Sequence, residues 1–160
     1  MHSGSGVSDM LTMSIEEQIA VRGFAVIASK AQGASIEAIE VYTVGLHEQG
    51  RPEVVVSGLG LNRSTALASS AAEWLRTNAN EPQLCKLDIQ LPGEERPVHF
   101  VSVPRGVGHW RYEEASKRSE GTARYVRLCV QDDDGKWPWD RDYRLNCSTI
   151  ERQSSGSNAF

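Results

Sequence analysis

Residues 42–60 constrain the fold of this chain most strongly, because they predict two strands joined by a short loop. Val41 and Thr43 belong to a strand that runs into a glycine-containing loop, and residues 53–57 form a second strand rich in β-branched side chains. Between residues 62 and 78, apolar residues recur three and four positions apart, which is typical of a helix lying on a sheet. We therefore expect a strand, a loop, a strand and a helix in that order.

Other strands are predicted on either side of this unit. Residues 24–29 are an apolar run of strand length, and residues 125–131 form another strand. Residues 86–91 alternate polar and apolar side chains and residues 97–103 return after a Pro-Gly turn, so together they predict a hairpin. An Asp-rich turn at residues 132–135 ends the last strand.

The helix boundaries are predicted from capping residues. Ser14 and Glu17 have the spacing of a capping box, and Gly23 should end that first helix. Asn62 is the expected N-cap of the long helix. In the stretch from residue 104 to residue 120, two glycines favour a loop, while residues 113–118 can form a short helix.

These elements predict an α+β fold with a twisted, mainly antiparallel sheet of about five to seven strands. One long helix should pack on a face of the sheet and a short N-terminal helix at its edge, with a partly closed barrel as the alternative. Residues 14–150 are expected to form a single globular domain. Residues 1–13 are expected to be a disordered N-terminus or a cloning scar, and residues 151–160 a disordered tail.

Composition excludes several classes of function. The 160 residues carry a formal net charge of −4 without a concentrated basic run, so we expect no nucleic-acid partner. No apolar run approaches the roughly 20 residues of a membrane span, and the chain is expected to be soluble, cytoplasmic and without a membrane partner. The three cysteines predict reduced, mostly buried thiols rather than a disulfide framework, and no cofactor is expected.

Three short motifs carry a resemblance to a known family. The pieces Tyr42-Thr-Val-Gly-Leu46, Pro52-Glu53 and Gly135-Lys-Trp-Pro-Trp-Asp140 occur in this order. They resemble the bacterial domain-of-unknown-function family numbered 4262 over about residues 17–143. The resemblance implies no catalytic residue. The chain has Arg51 where the family pattern has a histidine before Pro-Glu, so chemistry that depends on that histidine would require His47 to replace it.

The candidate site residues lie mainly in these motifs. His47 stands in a glycine-flanked loop near Tyr42, Thr43 and Arg51, a mixture that can bind an anion or move a proton, although an exposed loop histidine is the simpler interpretation. As a catalytic pair, His47 would carry the proton and Asp140 would orient it. Trp137 and Trp139 form a stiff apolar corner that either floors a pocket or plugs the end of the core, and both readings stay open.

Nucleotide and metal motifs are incomplete. Gly58 and Gly60 lie between a strand and a helix, but Arg63 occupies the third position of the dinucleotide fingerprint, so only a general anion site with Asn62 and Arg63 remains. The Asp-Asp-Asp-Gly run at residues 132–135 lacks the flanking carboxylates of a calcium loop. The histidines and cysteines show no close pair at ligand spacing, so no metal site is expected.

Two functional hypotheses follow. The first is a binding or immunity-type module that takes a small molecule or a protein or peptide partner between residues 42–60 and the corner at residues 137–140. The second is a small metal-independent enzyme that acts on a peptide or nucleotide-like substrate. The first is preferred because the sequence shows no complete set of nucleophile and base. The oligomeric state is left open.

Overall fold

A computed structural model describes residues 13–30, 39–78 and 84–144 and shows one six-stranded sheet. The strand order is β1-β2-β3-β6-β5-β4, in which β3 and β6 are parallel and all other neighbours are antiparallel. The sheet is not closed into a barrel, so the predicted α+β class is confirmed and the barrel alternative is not. The strands are β1 (Ala25–Lys30), β2 (Ile39–Val44), β3 (Glu53–Ser57), β4 (Asp88–Ile89), β5 (Val98–Val103) and β6 (Tyr125–Val130).

Four α-helices and two short 3₁₀ turns complete the described elements. In the first helix, the Ser14 hydroxyl accepts from the Glu17 amide and the Glu17 carboxylate accepts from the Ser14 amide, as the capping box predicts. Gly23 ends this helix with a φ of 90°. The helices are α1 (Ile15–Arg22), α2 (Leu61–Thr77), α3 (Arg105–Arg111) and α4 (Glu113–Arg118), and the 3₁₀ turns are Leu46–Gln49 and Leu84–Lys86.

Two local predictions need correction. Helix α2 begins at Leu61 after a Gly60 N-cap, so Asn62 is the second helical residue. Gly60 has φ and ψ of 84° and 165°, a backbone conformation that favours glycine, and the helix begins there without a side-chain cap. The expected loop after β5 is instead helix α3, where a Cβ on Gly108 would collide with the ring of Tyr125. Close packing, not loop flexibility, explains that glycine.

The other predicted elements agree with the structure in place, although some are shorter. The N-terminal arm of the predicted hairpin contributes only the two-residue β4, and a 3₁₀ turn stands before it. The Asp132 carbonyl accepts from the Gly135 amide, which forms the predicted turn after β6. Residues 1–12 and 145–160 lie outside the described residues. The predictions of disordered ends and of domain limits at residues 14 and 150 fall mainly on these residues.

The two faces of the sheet bury different layers. Side chains such as Val54, Val126 and Phe100 form the larger apolar cluster together with the buried side of α2. The opposite face is covered by α3 and α4, where Tyr112 lies between Tyr42 and Tyr125 with ring centroids 5.2 Å apart in each pair. Because side chains alternate along a strand, neighbouring residues of β2, β3 and β6 serve different layers. The sheet therefore positions the turn between β2 and β3 beside α4.

Candidate functional site

The turn between β2 and β3 is organised around the carboxylate of Glu53. This side chain is only 1% exposed and stands at the first position of β3. Gly45 and Gly50, with φ values of 114° and 77°, allow the chain to wind through the intervening 3₁₀ turn. The carboxylate accepts from the Thr43 hydroxyl at 2.7 Å and from the amides of Gly45, Leu46 and His47 at 3.0, 3.2 and 3.0 Å.

All four donors to Glu53 are neutral groups, and this determines its electrostatics. Burial raises the pKa of the Glu53 carboxyl to about 7, although the hydrogen bonds from His47, Thr43, Gly45 and Leu46 oppose the shift. The Thr43 hydroxyl also accepts from the Val54 amide at 2.8 Å. Glu53 and Thr43 therefore fix the predicted loop from inside the protein.

His47 contributes its backbone to this turn and its ring to another contact. The His47 amide donates to Glu53, whereas its Nε2 lies 3.1 Å from the Thr122 hydroxyl. The neighbouring Glu48 pairs with Arg118 of α4 at 2.7 Å. The loop is thus attached to the helical layer at two points, and the imidazole hydrogen bond goes to a hydroxyl group.

The Trp-Pro-Trp corner is a separate structure that follows β6. The indoles of Trp137 and Trp139 stack with their centroids 5.2 Å apart and their planes 8° apart. The ring of His99 meets both edge-on at 5.8 and 5.4 Å. Asp140 closes the corner by accepting from the Trp137 amide at 2.8 Å. Since Trp139 is 54% exposed, the corner is a surface feature rather than a core plug.

The predicted catalytic pair is not brought together. His47 precedes β3, which starts opposite the first residue of β6, whereas Asp140 follows the last residue of β6. The two therefore lie towards opposite ends of that strand. Tyr42 is on β2, while Trp137 packs on β5, three strand spacings or about 14 Å away across the sheet. The described geometry accordingly does not form the predicted pocket from Tyr42 and the tryptophans.

A cleft of about 780 Å³ lies at the end of the sheet where β3 and β6 begin. Three cationic residues line it, and none of the described lining residues is an aspartate or a glutamate. The buried apolar side chains of Leu75 and Val126 form its floor, and Tyr125 lines it at the start of β6. The cationic residues are Arg51, Lys86 and Arg124, and the remaining lining residues are Gly50, Pro52, Asn78, Leu84, Cys85, Ser102, Val103 and Pro104.

Backbone carbonyls hold two of these cations in place. Arg51 donates through Nε to the Leu75 carbonyl at 2.8 Å and through Nη1 to the Gln49 carbonyl at 2.7 Å. The first of these bonds satisfies a carbonyl in the last turn of α2. Arg124 donates to the Gly50 carbonyl at 3.2 Å. Neutral acceptors leave the positive charge of both side chains uncompensated by these bonds.

Sequence reasoning identified Arg51 but missed Lys86, Arg124 and Cys85. These residues come from three separate parts of the chain, and their neighbourhood depends on the parallel pairing of β3 with β6. The spacing of residues along the sequence does not indicate which distant strands pair. Cys85 is exposed, unlike the buried Cys129, and corrects the expectation of mostly buried thiols for one residue. Partial burial removes water from the Cys85 thiol and raises its pKa.

The predicted anion site near the start of α2 contains a compensated cation. Arg63 forms two hydrogen bonds to the Glu94 carboxylate, at 2.9 and 2.8 Å. Asn62 is exposed in the first turn of the helix. A hollow of about 320 Å³ next to Arg63 contains both signs of charge, including Glu94 and Arg96. This end of the sheet therefore favours anions less than the cleft does.

Two kinds of site are not found in the part of the chain that the structure describes. No group of three or more His, Cys, Asp or Glu side chains there has an arrangement that could hold a metal ion. None of the helices in residues 13–30, 39–78 and 84–144 is long and apolar enough to cross a membrane. The cellular location of the protein stays a prediction.

Comparison with known proteins identifies the family. A search of curated proteins and a search of solved structures each gave no match. The sequence matches the family described as "Domain of unknown function (DUF4262)" over residues 18–144, which is more than half of the chain. That match includes the Glu53 turn, the cleft and the tryptophan corner. The chain therefore belongs to the DUF4262 family.

Proposed function

We propose that this protein is a binding module whose ligand site is the cleft at the start of β3 and β6. The observation that carries the proposal is the cleft itself, which at about 780 Å³ has the size of a small-molecule pocket. Apolar lining residues with a few polar groups at defined positions are typical of such pockets. The site replaces the predicted pocket between Tyr42 and the tryptophan corner.

The arrangement of side chains favours binding over catalysis. Among the described residues, Cys85 and Ser102 line the cleft as nucleophile types, but neither a histidine nor a carboxylate lines it to act as a base. Burial also raises the pKa of Cys85, which disfavours a reactive thiolate. The cations supply charge and hydrogen-bond donors, which are recognition groups.

Cys85 provides a direct test of the site, because it is an exposed thiol in the cleft wall. We would label Cys85 with fluorescein maleimide in a Cys147→Ser background, at a pH high enough to ionise the thiol. A thermal-shift screen of carboxylates, phosphates, nucleotides and peptides would be run on labelled and unlabelled protein. A ligand at about 100 times its Kd should stabilise the unlabelled protein by about 2.7 kcal/mol.

The expected result is that ligands stabilise the unlabelled protein and not the labelled protein, since the adduct fills the cleft. The matched control is Cys85→Ser in the same background, which the reagent cannot label in the cleft, so its response should be the same with and without the reagent. Equal stabilisation of labelled and unlabelled protein would place binding elsewhere and contradict the proposal. A complete lack of stabilising ligands would also count against a binding module.

A further inference from the structure

We infer that the ligand of the cleft is an organic anion with an apolar body, such as an alkyl or aryl carboxylate. This inference rests on the proposed function, because it names the ligand class of the same site. It follows from where the charged and apolar lining residues lie relative to solvent.

The charged groups belong to the rim of the cleft. Lys86 and Arg124 are exposed, and Arg51 is half-buried. All three carry a positive charge in a chain whose formal net charge is −4, and none of the described residues that line the cleft carries a negative charge. An anionic group at the rim would gain favourable interactions with these side chains while it stays in contact with water.

The floor of the cleft is apolar and belongs to the hydrophobic core. Leu75 and Val126, which belong to the same apolar cluster, are 2% and 6% exposed, and Pro52 is buried as well. A bare inorganic anion gains nothing from such a floor, because its charge would lose hydration there. An alkyl or aryl group gains the hydrophobic contribution of each methylene that leaves water. The floor and the rim together therefore fit a molecule with two different ends.

The positions of the two arginines indicate where the anionic end would bind. Arg51 and Arg124 donate to consecutive carbonyls, those of Gln49 and Gly50, so both guanidinium groups are held at the same stretch of backbone. Two neighbouring guanidinium groups suit a carboxylate, whose two oxygens can each accept from a planar donor. The apolar body would then extend from this point over Leu75 and Val126.

Four probes of graded chemistry test this inference: hexanoate, acetate, hexanol and hexylamine. Binding would be followed through the amide NMR spectrum of the full chain, with the cleft residues as reporters. We expect hexanoate to bind at least about tenfold more tightly than acetate, because four methylenes enter the apolar floor. We also expect hexanoate to bind more tightly than hexanol and hexylamine, which lack the negative charge.

Charge-neutralising variants separate the role of the rim from that of the floor. Lys86→Gln and Arg124→Gln change exposed side chains and should each weaken hexanoate binding about fivefold, with no effect on hexanol. Lys117→Gln is the matched control, since Lys117 is exposed on α4 and does not line the cleft. It should leave both affinities unchanged.

The outcomes distinguish this inference from the proposed function. If hexanol or hexylamine binds the cleft as tightly as hexanoate, and the Cys85 adduct blocks it, the anionic class is wrong while the binding module stands. If acetate equals hexanoate, the apolar body is wrong. If none of the probes perturbs the cleft residues at about 10 mM, the affinity is too weak for recognition of a ligand. Both the ligand class and the site are then contradicted.

Discussion

Two turns of this protein are each built around one carboxylate that accepts from three backbone amides, yet their environments differ. Glu53 holds the turn between β2 and β3, under the helical layer. Asp132 holds the turn after β6 by accepting from the amides of Asp134, Lys136 and Arg144 at 2.9, 2.8 and 2.9 Å. Both side chains are 1% exposed, but the Glu53 turn lies against a helical layer, whereas the Asp132 turn continues into the exposed residues Asp133 and Asp134.

The pKa shifts of these two carboxyl groups have opposite signs. Burial raises the pKa of Glu53 to about 7 despite its hydrogen bonds. For Asp132, desolvation also raises the pKa, but the three amides and the charge of Lys136 outweigh it and leave the pKa below its ordinary value. Asp132 has exposed neighbours and a cation nearby, whereas the donors to Glu53 are all neutral. Amide donors alone therefore do not decide the charge state of a carboxyl group.

The largest effect is expected from removal of the buried carboxylate. Glu53→Ala leaves three backbone amides and the Thr43 hydroxyl without their acceptor inside the protein. We expect the free energy of unfolding to fall by about 4 kcal/mol, measured by urea denaturation. Asp132→Ala should cause a smaller loss, because Asp132, although itself 1% exposed, is followed by the exposed Asp133 and Asp134, so that water has a short path to the freed amides.

The control for this comparison is Glu48→Ala, which removes an exposed carboxylate from the same turn and should change stability less than either variant. An Asp132→Ala loss as large as that of Glu53→Ala would break the comparison. It would mean that the amide donors, rather than the surroundings of each turn, determine the contribution of each carboxylate.

The pH dependence of stability is the second way to test the comparison. Because the pKa of Glu53 is raised from 4.5 to about 7, the folded state keeps its proton while the unfolded state loses it. The resulting stabilisation is fully present below about pH 4.5 and is lost as the pH rises to about 7. It amounts to about 3 kcal/mol. Urea denaturation across this range should show the decline, and Glu53→Gln should remove it.

Asp132 should contribute with the opposite sign. Its pKa is lowered, so its stabilisation is present above the ordinary aspartate value and is lost as the pH falls through the folded value. Asp132→Asn should therefore flatten the acid side of the profile and leave the range from pH 4.5 to 7 unchanged. If Glu53→Gln retained the full decline between pH 4.5 and 7, another group would be responsible.

The sequence predicted the elements around both turns better than their contacts. Residues 53–57 were predicted as a strand with the bounds of β3, because the β-branched run is unambiguous. The carboxylate of Glu53 was not recognised as buried, since alternation along a strand does not tell which face a helical layer covers. Helices α3 and α4, which cover it, were predicted only in part because Gly106 and Gly108 suggested a loop.

The cleft was the least predictable feature. It depends on the parallel pairing of β3 with β6, whose first residues Glu53 and Tyr125 are far apart in sequence. Sequence patterns report local periodicity, and they carry no information about which distant strands become neighbours. Arg51 was recognised because it lies near His47 in a loop whose mixture of side chains can bind an anion. Lys86 and Arg124 are scattered cations until the sheet forms.

The smallest effects are expected from the glycines that shape the two turns. Gly45 has a φ of 114°, and a Cβ there would lie 3.3 Å from the Gly23 carbonyl oxygen and from Ile19. Gly135 has a φ of 81°, and a Cβ there would lie no closer than 3.8 Å to Arg96. We expect Gly45→Ala to lower the free energy of unfolding by about 2 kcal/mol, from backbone strain and crowding, and Gly135→Ala by about 1 kcal/mol, from strain alone.

Urea denaturation of both variants measures the difference, with Gly106→Ala as a control at a helical glycine that has open space around it. Equal losses at Gly45 and Gly135 would show that the buried turn tolerates a side chain as readily as the exposed turn, and the contrast between the turns would then rest on their carboxylates alone.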